Sequence, residues 1–160
     1  MAAGEEVRPF RTPVDDRRAI RGMVFGGFSK CLYDLQKFDS DPERRFSVVL
    51  ERDPAVLKWT KPAPSAFRIF YNSGAQYWPD FVAETADARY IVEIKAENNL
   101  DDQTVKDKAD AAVVWCRYAS EHTKTTDGKP WRYLLVPADE VTDNMTIGGL
   151  ARRFECVAGA

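Results

Sequence analysis

Residue types that build many familiar active sites are scarce in this sequence. It contains a single histidine, His122, and three scattered cysteines. One histidine leaves little from which to build a histidine-based metal cluster or a Ser-His-Asp triad. An odd number of cysteines without CxxC spacing argues against a disulfide framework or a zinc site. Neither a Walker A sequence nor GxGxxG occurs, which excludes the usual glycine-rich routes to ATP and dinucleotide binding.

Long apolar runs are also absent from the 160 residues, and the N-terminus carries no signal-peptide pattern. We therefore expect a cytoplasmic protein without a membrane partner. The length favours one domain, predicted over residues 15–160, after a flexible N-terminal lead-in over residues 1–14. The net charge of −2 does not indicate a general nucleic-acid binder. It does not exclude a nuclease, because metal-site acids add negative charge and bound cations reverse the local sign.

The N-terminal region is nevertheless the most basic part of the chain. A phosphate-contacting arm is one interpretation of these charges, and ordinary solvated charge is the simpler one, which we favour. The residues concerned are Arg8, Arg11, Arg17, Arg18 and Arg21.

Helical patterns mark three segments clearly and one loosely. Ser40-Asp41-Pro42-Glu43 offers an N-cap serine, a proline in the first turn and a capping-box glutamate. Apolar residues also recur at loosely helical spacing over residues 15–37. Three glycines interrupt this segment, so a helix is predicted only at about Lys30 to Lys37. The clearer helices are predicted at 41–51, 102–121 and 146–154.

Strand patterns cluster in the middle of the chain. Phe67–Tyr71 is predicted to be a strand, and Tyr77–Ala83 and Tyr90–Ala96 form a hairpin, so the three make an antiparallel meander. Residues 55–62 resemble a short extended piece or a helix turn. Trp131–Pro137 is apolar enough to be central and follows a helix, which predicts parallel pairing with an earlier strand.

The hairpin carries the charges that indicate chemistry. Pairing its strands brings Asp80 near Glu93 and Lys95, and the period of two places Glu93 and Lys95 on the same side. Two acids and a lysine among apolar neighbours are costly to bury unless a partner compensates them. Mg²⁺ suits carboxylate oxygens, with waters and substrate phosphate completing its shell. The lysine could then orient water or stabilise charge on phosphate; the alternative is an edge hairpin with solvated charges.

Three further residues are candidates for the same site. Glu43 either caps its own helix or points across to the hairpin as a metal ligand. Lys108, at the margin of the apolar face of the helix at 102–121, either holds a phosphate or snorkels at the rim of the core. Arg44 is a further candidate for a phosphate contact.

Pro79-Asp80 followed by Glu93-Ile94-Lys95 resembles the PD-(D/E)xK nuclease motif. The predicted order of elements resembles the αβββαβ core of the restriction-endonuclease-like fold, an α/β fold whose mixed central sheet is flanked by helices. A closer similarity, covering about Ile20 to Phe154, is to the C-terminal endonuclease domain of type III restriction enzyme Res subunits and related helicase–nucleases. It is carried by the runs 38–40, 43–46, 50–53, 77–81, 91–95 and 108–116.

The resemblance implies a Mg²⁺-dependent deoxyribonuclease that cleaves double-stranded DNA in restriction-modification or antiviral defence, with Mn²⁺ able to substitute. Asp80 and Glu93 would be the principal metal ligands, and the Ile94 carbonyl a further one. Glu43 would complete the site or bind a second ion, while Lys95 would position the attacking water and neutralise charge on the phosphate. A helicase or ATPase motor is the expected partner, and cleavage of both strands would need a homodimer or another subunit. The alternative is a non-catalytic DNA-binding or assembly module that retains the fold.

Overall fold

The computed structural model of the protein describes residues 6–63, 66–72 and 74–157. Within them the α-helices are α1 (Asp41–Arg52), α2 (Gln103–Lys124) and α3 (Ile147–Phe154). The strands are β1 (Val7–Pro9), β2 (Val24–Gly26), β3 (Val56–Thr60), β4 (Ile69–Tyr71), β5 (Ala75–Tyr77), β6 (Phe81–Thr85), β7 (Arg89–Lys95), β8 (Trp131–Pro137) and β9 (Glu155–Cys156).

A five-stranded mixed sheet in the order β3-β6-β7-β8-β9 forms the centre of this mixed α/β fold. The pairs β3–β6, β6–β7 and β8–β9 are antiparallel, and β7–β8 is parallel. The pairing of the two hairpin strands and the predicted parallel pairing of Trp131–Pro137 are therefore confirmed. The first hairpin strand, predicted at Tyr77–Ala83, begins only at Phe81, and Tyr77 belongs to β5 in a separate sheet. Helix α2 connects β7 to β8, because parallel neighbours need a crossover rather than a tight turn.

Local sequence explains where the helices begin and end. Ser40 is the N-cap of α1, Pro42 lies in its first turn, and Asp53 is its C-cap. Asp53 also accepts a hydrogen bond from the backbone N–H of Ile147 at 2.8 Å, which ties the start of α3 to the end of α1. The helices predicted at 41–51, 102–121 and 146–154 are confirmed within one to three residues at their ends.

The first strand of the sheet lies earlier in the chain than predicted. Residues 56–60 form β3, whereas the predicted meander strand Phe67–Tyr71 shortens to β4 and pairs with β5 in a separate two-stranded sheet. Burial explains the difference. Trp59 is 2% exposed and its indole N–H donates to Glu51, so β3 belongs to the core, while β4 and β5 contribute Ile69 and Tyr77 to packing on the α2 side.

The helix predicted around Lys30–Lys37 is wrong. Residues 17–22 form a 3₁₀ helix, β2 follows, and residues 30–37 are irregular, with a bridge between Phe25 and Gln36. The buried Glu51 carboxylate accepts the backbone N–H of Lys30 at 2.8 Å, so a side chain satisfies this segment without a helix. The expected flexible lead-in also differs from the structure from Val7 onward, because β1 pairs with β2 and Phe10 is buried.

Alternate residues of the central strands face two separate cores. Phe81, Tyr90 and Val92 pack towards α1 and α3, whereas Ile91 and Tyr133 pack towards α2. Among the described residues, no helix has the length and apolarity needed to cross a membrane.

Candidate functional site

The register of the β6–β7 hairpin brings Asp80 and Glu93 together. Phe81 pairs with Val92, so Asp80, one residue earlier, comes opposite Glu93 at the open end of the hairpin. The Ile94 N–H donates to Asp80 Oδ2 at 3.0 Å, which holds the carboxylate against β7. Because side chains alternate along a strand, Glu93 and Lys95 share the face of the sheet that packs on α2.

Lys95 pairs with one Glu93 oxygen, and the other has no hydrogen-bond partner in the part of the chain that the structure describes. Lys95 Nζ lies 3.3 Å from Glu93 Oε1. Glu93 is 6% exposed, and its Oε2 atom is buried without a hydrogen bond among the described residues. An unsatisfied buried carboxylate oxygen costs free energy, so a cation or a hydrogen-bond donor placed there would be stabilising.

Glu43 and Lys61 form a second charged pair beside the hairpin acids, on the α1 side of the sheet. Lys61 Nζ lies 2.6 Å from Glu43 Oε1, with both side chains largely buried. The Glu43 N–H donates to Ser40 Oγ at 3.4 Å, and Ser40 Oγ donates to Glu43 Oε2 at 3.5 Å. Glu43 therefore contacts its own N-cap and also lies within electrostatic reach of the hairpin acid Asp80, while its role as a metal ligand stays a prediction. We call Glu43, Lys61, Asp80, Glu93 and Lys95 the acid–lysine cluster.

Burial and mutual repulsion perturb the three carboxyl groups. Burial and then the Glu93 charge raise the pKa of Asp80 to about 7, although the Ile94 N–H, Lys61 and Lys95 act in the opposite direction. Burial and then Asp80 raise the pKa of Glu43. Burial also raises the pKa of Glu93 against the influence of Lys95. Each acid is thus held near other acids in a place that disfavours its charge, which is typical of functional sites.

The two lysines of the cluster stay charged. Burial disfavours the ammonium group of Lys95, but the Glu93 and Asp80 carboxylates outweigh it and raise the pKa of Lys95. Burial likewise opposes the charge of Lys61, and Glu43 outweighs it, so the pKa of Lys61 is raised as well. Both side chains therefore present positive charge at neutral pH rather than a basic lone pair.

Lys108 reaches the same region from α2. Its Nζ lies 5.7 Å from the ring centroids of both Tyr71 and Tyr77, so the two aromatic faces steady the ammonium group. Its charge also acts to lower the pKa of Glu93. The contact with two aromatic rings fits a lysine at the rim of the core, and the phosphate contact stays a prediction.

Arg44 does not lie where a phosphate contact would need it. It is 5% exposed, its Nε donates to Asp41 Oδ1 at 3.0 Å, and its Nη1 donates to the Phe10 carbonyl at 2.9 Å. The expected DNA contact is corrected accordingly: Arg44 fastens the N-terminal segment to α1, because a guanidinium buried this deeply has to be paired.

The acid–lysine cluster has the donor chemistry for a divalent cation. Hard cations such as Mg²⁺ take carboxylate and carbonyl oxygens, commonly from one or two protein carboxylates, with waters and substrate phosphates as further ligands. Asp80 and Glu93 supply such oxygens, and Oε2 of Glu93 is unpartnered among the described residues. In that part of the chain no three or more His, Cys, Asp or Glu side chains form a metal-holding group. Mg²⁺ commonly takes only one or two protein carboxylates, so Asp80 and Glu93 are a chemically suitable pair of ligands.

Lys61 is the member of the cluster that sequence reasoning missed. It directly follows β3, and the register Thr60↔Val82 places it beside Phe81, over whose ring its Nζ lies at 5.5 Å. Assigning residues 56–60 as the first strand would have placed Lys61 next to Asp80. The ambiguous pattern of residues 55–62 concealed that signal.

Two comparisons with known proteins find no match, namely a scan against protein-family models and a search of curated proteins. The class of protein therefore has to be inferred from the acid–lysine cluster and its place in the fold.

Proposed function

We propose that the protein is a Mg²⁺-dependent DNA endonuclease that hydrolyses phosphodiester bonds at the acid–lysine cluster. The observation that carries the proposal is the juxtaposition of the half-buried Asp80 and the buried Glu93 at the open end of one hairpin, with Lys95 3.3 Å from Glu93. Two acids with raised pKa values beside a charged lysine suit the binding of a cation and a phosphate together.

The order of elements supports the proposal. Helix α1 is followed by β3, β6 and β7, then by α2 and β8, and β4 and β5 form an insertion between the first two of these strands. With that insertion left aside, this order agrees with the αβββαβ order that the PD-(D/E)xK resemblance implies, with Asp80 immediately before β6 and Glu93 and Lys95 in β7. We propose the restriction-endonuclease-like core on this basis.

Each side chain of the acid–lysine cluster would have its own role in hydrolysis. Asp80 and Glu93, with the Ile94 carbonyl and Glu43 as further candidates, would hold a divalent cation, which when bound supplies Lewis-acid polarisation of the phosphate and a more acidic water. Lys95, protonated because its pKa is raised, would donate hydrogen bonds to the attacking water and to a phosphate oxygen. Lys61 keeps Glu43 in place through its 2.6 Å ion pair, and Lys108 would contact a neighbouring phosphate. Displacement at phosphorus would be in line, without a covalent enzyme intermediate.

A plasmid-nicking assay tests the proposal. We expect supercoiled DNA to be relaxed or linearised with Mg²⁺ or Mn²⁺ and to stay intact with EDTA. Glu93→Gln and Lys95→Met should each lower the rate roughly 10²–10³-fold, the loss typical of a pre-organised charged group. Glu84→Gln is the matched control, because Glu84 lies on the same hairpin but pairs with Lys58 and Arg89 outside the cluster. Equal rates for Glu93→Gln and Glu84→Gln would refute the mechanism.

One observation favours a second candidate, a non-catalytic DNA-binding or assembly module. Two of the three acids already have a lysine partner, Glu43 with Lys61 and Glu93 with Lys95, so part of their charge is compensated without any metal. This candidate predicts DNA binding that EDTA does not change, and no cleavage at any protein concentration. We propose a helicase or ATPase motor as the partner in defence, and a dimer for cleavage of both strands, from the resemblance alone.

A further inference from the structure

A second charged site lies on the other side of α1 from Glu43. Five arginines line a cleft with a volume of about 550 Å³, whose acidic lining consists of Asp41 and Asp143. We call it the arginine cleft. Its arginines are Arg11, Arg17, Arg45 and Arg52, together with the buried Arg44, which is already bonded to Asp41 and to the Phe10 carbonyl and is not counted as a ligand contact. A concentration of positive charge of this kind is unexpected in a chain whose net charge is −2.

The aspartates compensate only part of this charge, although the inner arginines also donate to backbone carbonyls: Arg45 Nη1 to Val141 at 2.9 Å and Arg52 Nη1 to Asp143 at 3.2 Å. A single carboxylate, Asp41, lies 3.0 Å from Arg44 Nε, 3.2 Å from Arg45 Nε and 3.7 Å from Arg17 Nε. One negative charge cannot neutralise three guanidinium groups. Arg45 Nε is buried and forms no hydrogen bond among the described residues, although it is within ion-pair distance of Asp41.

The outer arginines are placed to meet a ligand from solvent. The Arg17 side chain is 72% exposed, and Arg11 is exposed, with its guanidinium stacked on the Phe10 ring at 4.3 Å. Of the five arginines in the basic N-terminal region, the structure assigns these two to the cleft and leaves Arg8, Arg18 and Arg21 outside its lining.

The composition of the lining indicates which anion the cleft binds. Guanidinium groups are weakly hydrated and suit bidentate contact with phosphate oxygens. Among the described residues of the lining, none is aromatic and none is Asn or Gln, so the cleft lacks the usual groups for stacking on or reading a base. Phosphate contact without base contact is how proteins position a nucleic-acid backbone.

The cleft is also close to the proposed active site. Asp41, at the cleft, and Glu43, in the acid–lysine cluster, are two residues apart in α1. Two residues correspond to about 3 Å along the helix axis and roughly 160° around it. A strand that passes the N-terminal end of α1 would therefore meet the cluster on one side and the cleft on the other.

We infer that the arginine cleft binds the phosphodiester backbone of the nucleic acid on which the acid–lysine cluster acts, a few nucleotides from the scissile bond. The inference rests on the proposed function for the identity of the ligand. It adds a positioning site, with no sequence preference, that makes binding strongly dependent on salt.

Fluorescence anisotropy with an end-labelled DNA duplex of about 20 base pairs, in EDTA so that no cleavage occurs, tests the inference. Arg11→Ala/Arg17→Ala removes two exposed cleft charges. Arg8→Ala/Arg18→Ala is the matched control, because it removes two charges from the same region outside the lining. We expect Kd to rise about tenfold or more for the cleft variant and less than about twofold for the control. The slope of log K against log salt should become less negative by about 2 for the cleft variant alone.

The other outcomes would overturn the inference. These are a wild-type protein that does not bind the duplex, equal losses for the two double variants, or a cleft variant that binds like wild type. Competition by ATP or by polyglutamate as effective as that by unlabelled duplex would instead indicate a nucleotide pocket or an acidic protein ligand. Arg17→Glu provides a second variant at an exposed position, should the double variant fold poorly. Cleavage by the wild-type protein in Mg²⁺ is measured separately. If the cleft variant loses DNA binding as expected but the wild type does not cleave DNA, only the proposed hydrolysis is refuted. If the wild type cleaves DNA but the cleft variant binds the duplex like wild type, only this inference is refuted.

Discussion

Replacement of Lys61 by methionine should destabilise the protein by leaving Glu43 buried without its partner. The ion pair is 2.6 Å long, and the side chains of Lys61 and Glu43 are 15% and 7% exposed. Removal of one partner from a fully buried pair costs about 3–5 kcal/mol. Because Lys61 keeps some contact with solvent and Glu43 can take up a proton, we expect about 2–3 kcal/mol. For a chain of this length that corresponds to a decrease in Tm of roughly 5–10 °C.

Urea unfolding followed by tryptophan fluorescence measures this free energy. The double variant Lys61→Met/Glu43→Gln should recover most of the loss, with a coupling energy of about 2 kcal/mol, because it removes the isolated charge. Lys58→Met is the matched control, because Lys58 lies in β3, three residues before Lys61. Lys58 is 68% exposed and pairs with Glu84 at 3.3 Å, so its loss should cost less than about 0.5 kcal/mol. Equal effects of Lys61→Met and Lys58→Met, or no coupling with Glu43→Gln, would show that the buried pair does not have the assigned role.

Three further predictions concern other residues. Burial and Glu93 raise the pKa of Asp80 to about 7. Between about pH 4 and pH 7 the Asp80 carboxyl therefore holds a proton in the folded state that it releases in the unfolded state. The free energy of unfolding in EDTA should fall as pH rises through this range. Asp80→Asn should remove this loss and be more stable than wild type by about 2 kcal/mol near pH 7 but not near pH 4, as urea titrations at each pH can measure. Glu51→Ala should cost roughly 2–4 kcal/mol and shift the emission of Trp59, because Glu51 accepts the Trp59 indole N–H at 2.9 Å and the Lys30 N–H at 2.8 Å. Lys108→Met should slow plasmid cleavage about tenfold without changing Tm by more than about 2 °C; an unchanged rate would exclude a phosphate contact.

Local signals were sufficient for the parts of the fold that depend on short-range patterns. Ser40 and Pro42 predicted the start of α1, and alternation in residues 90–96 predicted that Glu93 and Lys95 share a face. The hairpin pairing followed from the proximity of its two strands in sequence. From these features alone, the contact of Asp80 with β7 could be anticipated.

The parts of the fold that were predicted wrongly or left open depend on contacts between residues far apart in the sequence. Residues 30–37 carry a helical period, but the carboxylate of Glu51 and the bridge between Phe25 and Gln36 hold this part of the chain in an irregular form. Residues 55–62 have a weak strand pattern, and burial of Trp59 makes them the first strand of the sheet. The position of Lys61 depended on that strand and could not be inferred without it.

The roles of the N-terminal arginines also depend on contacts that the sequence alone does not reveal. Their charge was visible in the sequence, but only the structure separates Arg11 and Arg17, which line a cleft, from Arg8, Arg18 and Arg21, which do not. Arg44 was predicted to share a site with its neighbour Glu43. Glu43 belongs to the acid–lysine cluster, whereas Arg44 turns inward and bonds to Asp41. Adjacent residues on a helix point in different directions, so nearness in sequence does not establish a shared site.

A crystal structure of the protein soaked with Mn²⁺ would examine the proposed metal centre most directly. Anomalous scattering should place an ion within about 2.0–2.3 Å of oxygen atoms from both Asp80 and Glu93, with the Lys95 ammonium group displaced from Glu93 Oε1 towards the space that a phosphate would take. Manganese found only elsewhere on the protein, with the Lys95–Glu93 pair still intact, would contradict the assignment of this cluster as a metal-dependent phosphodiesterase site.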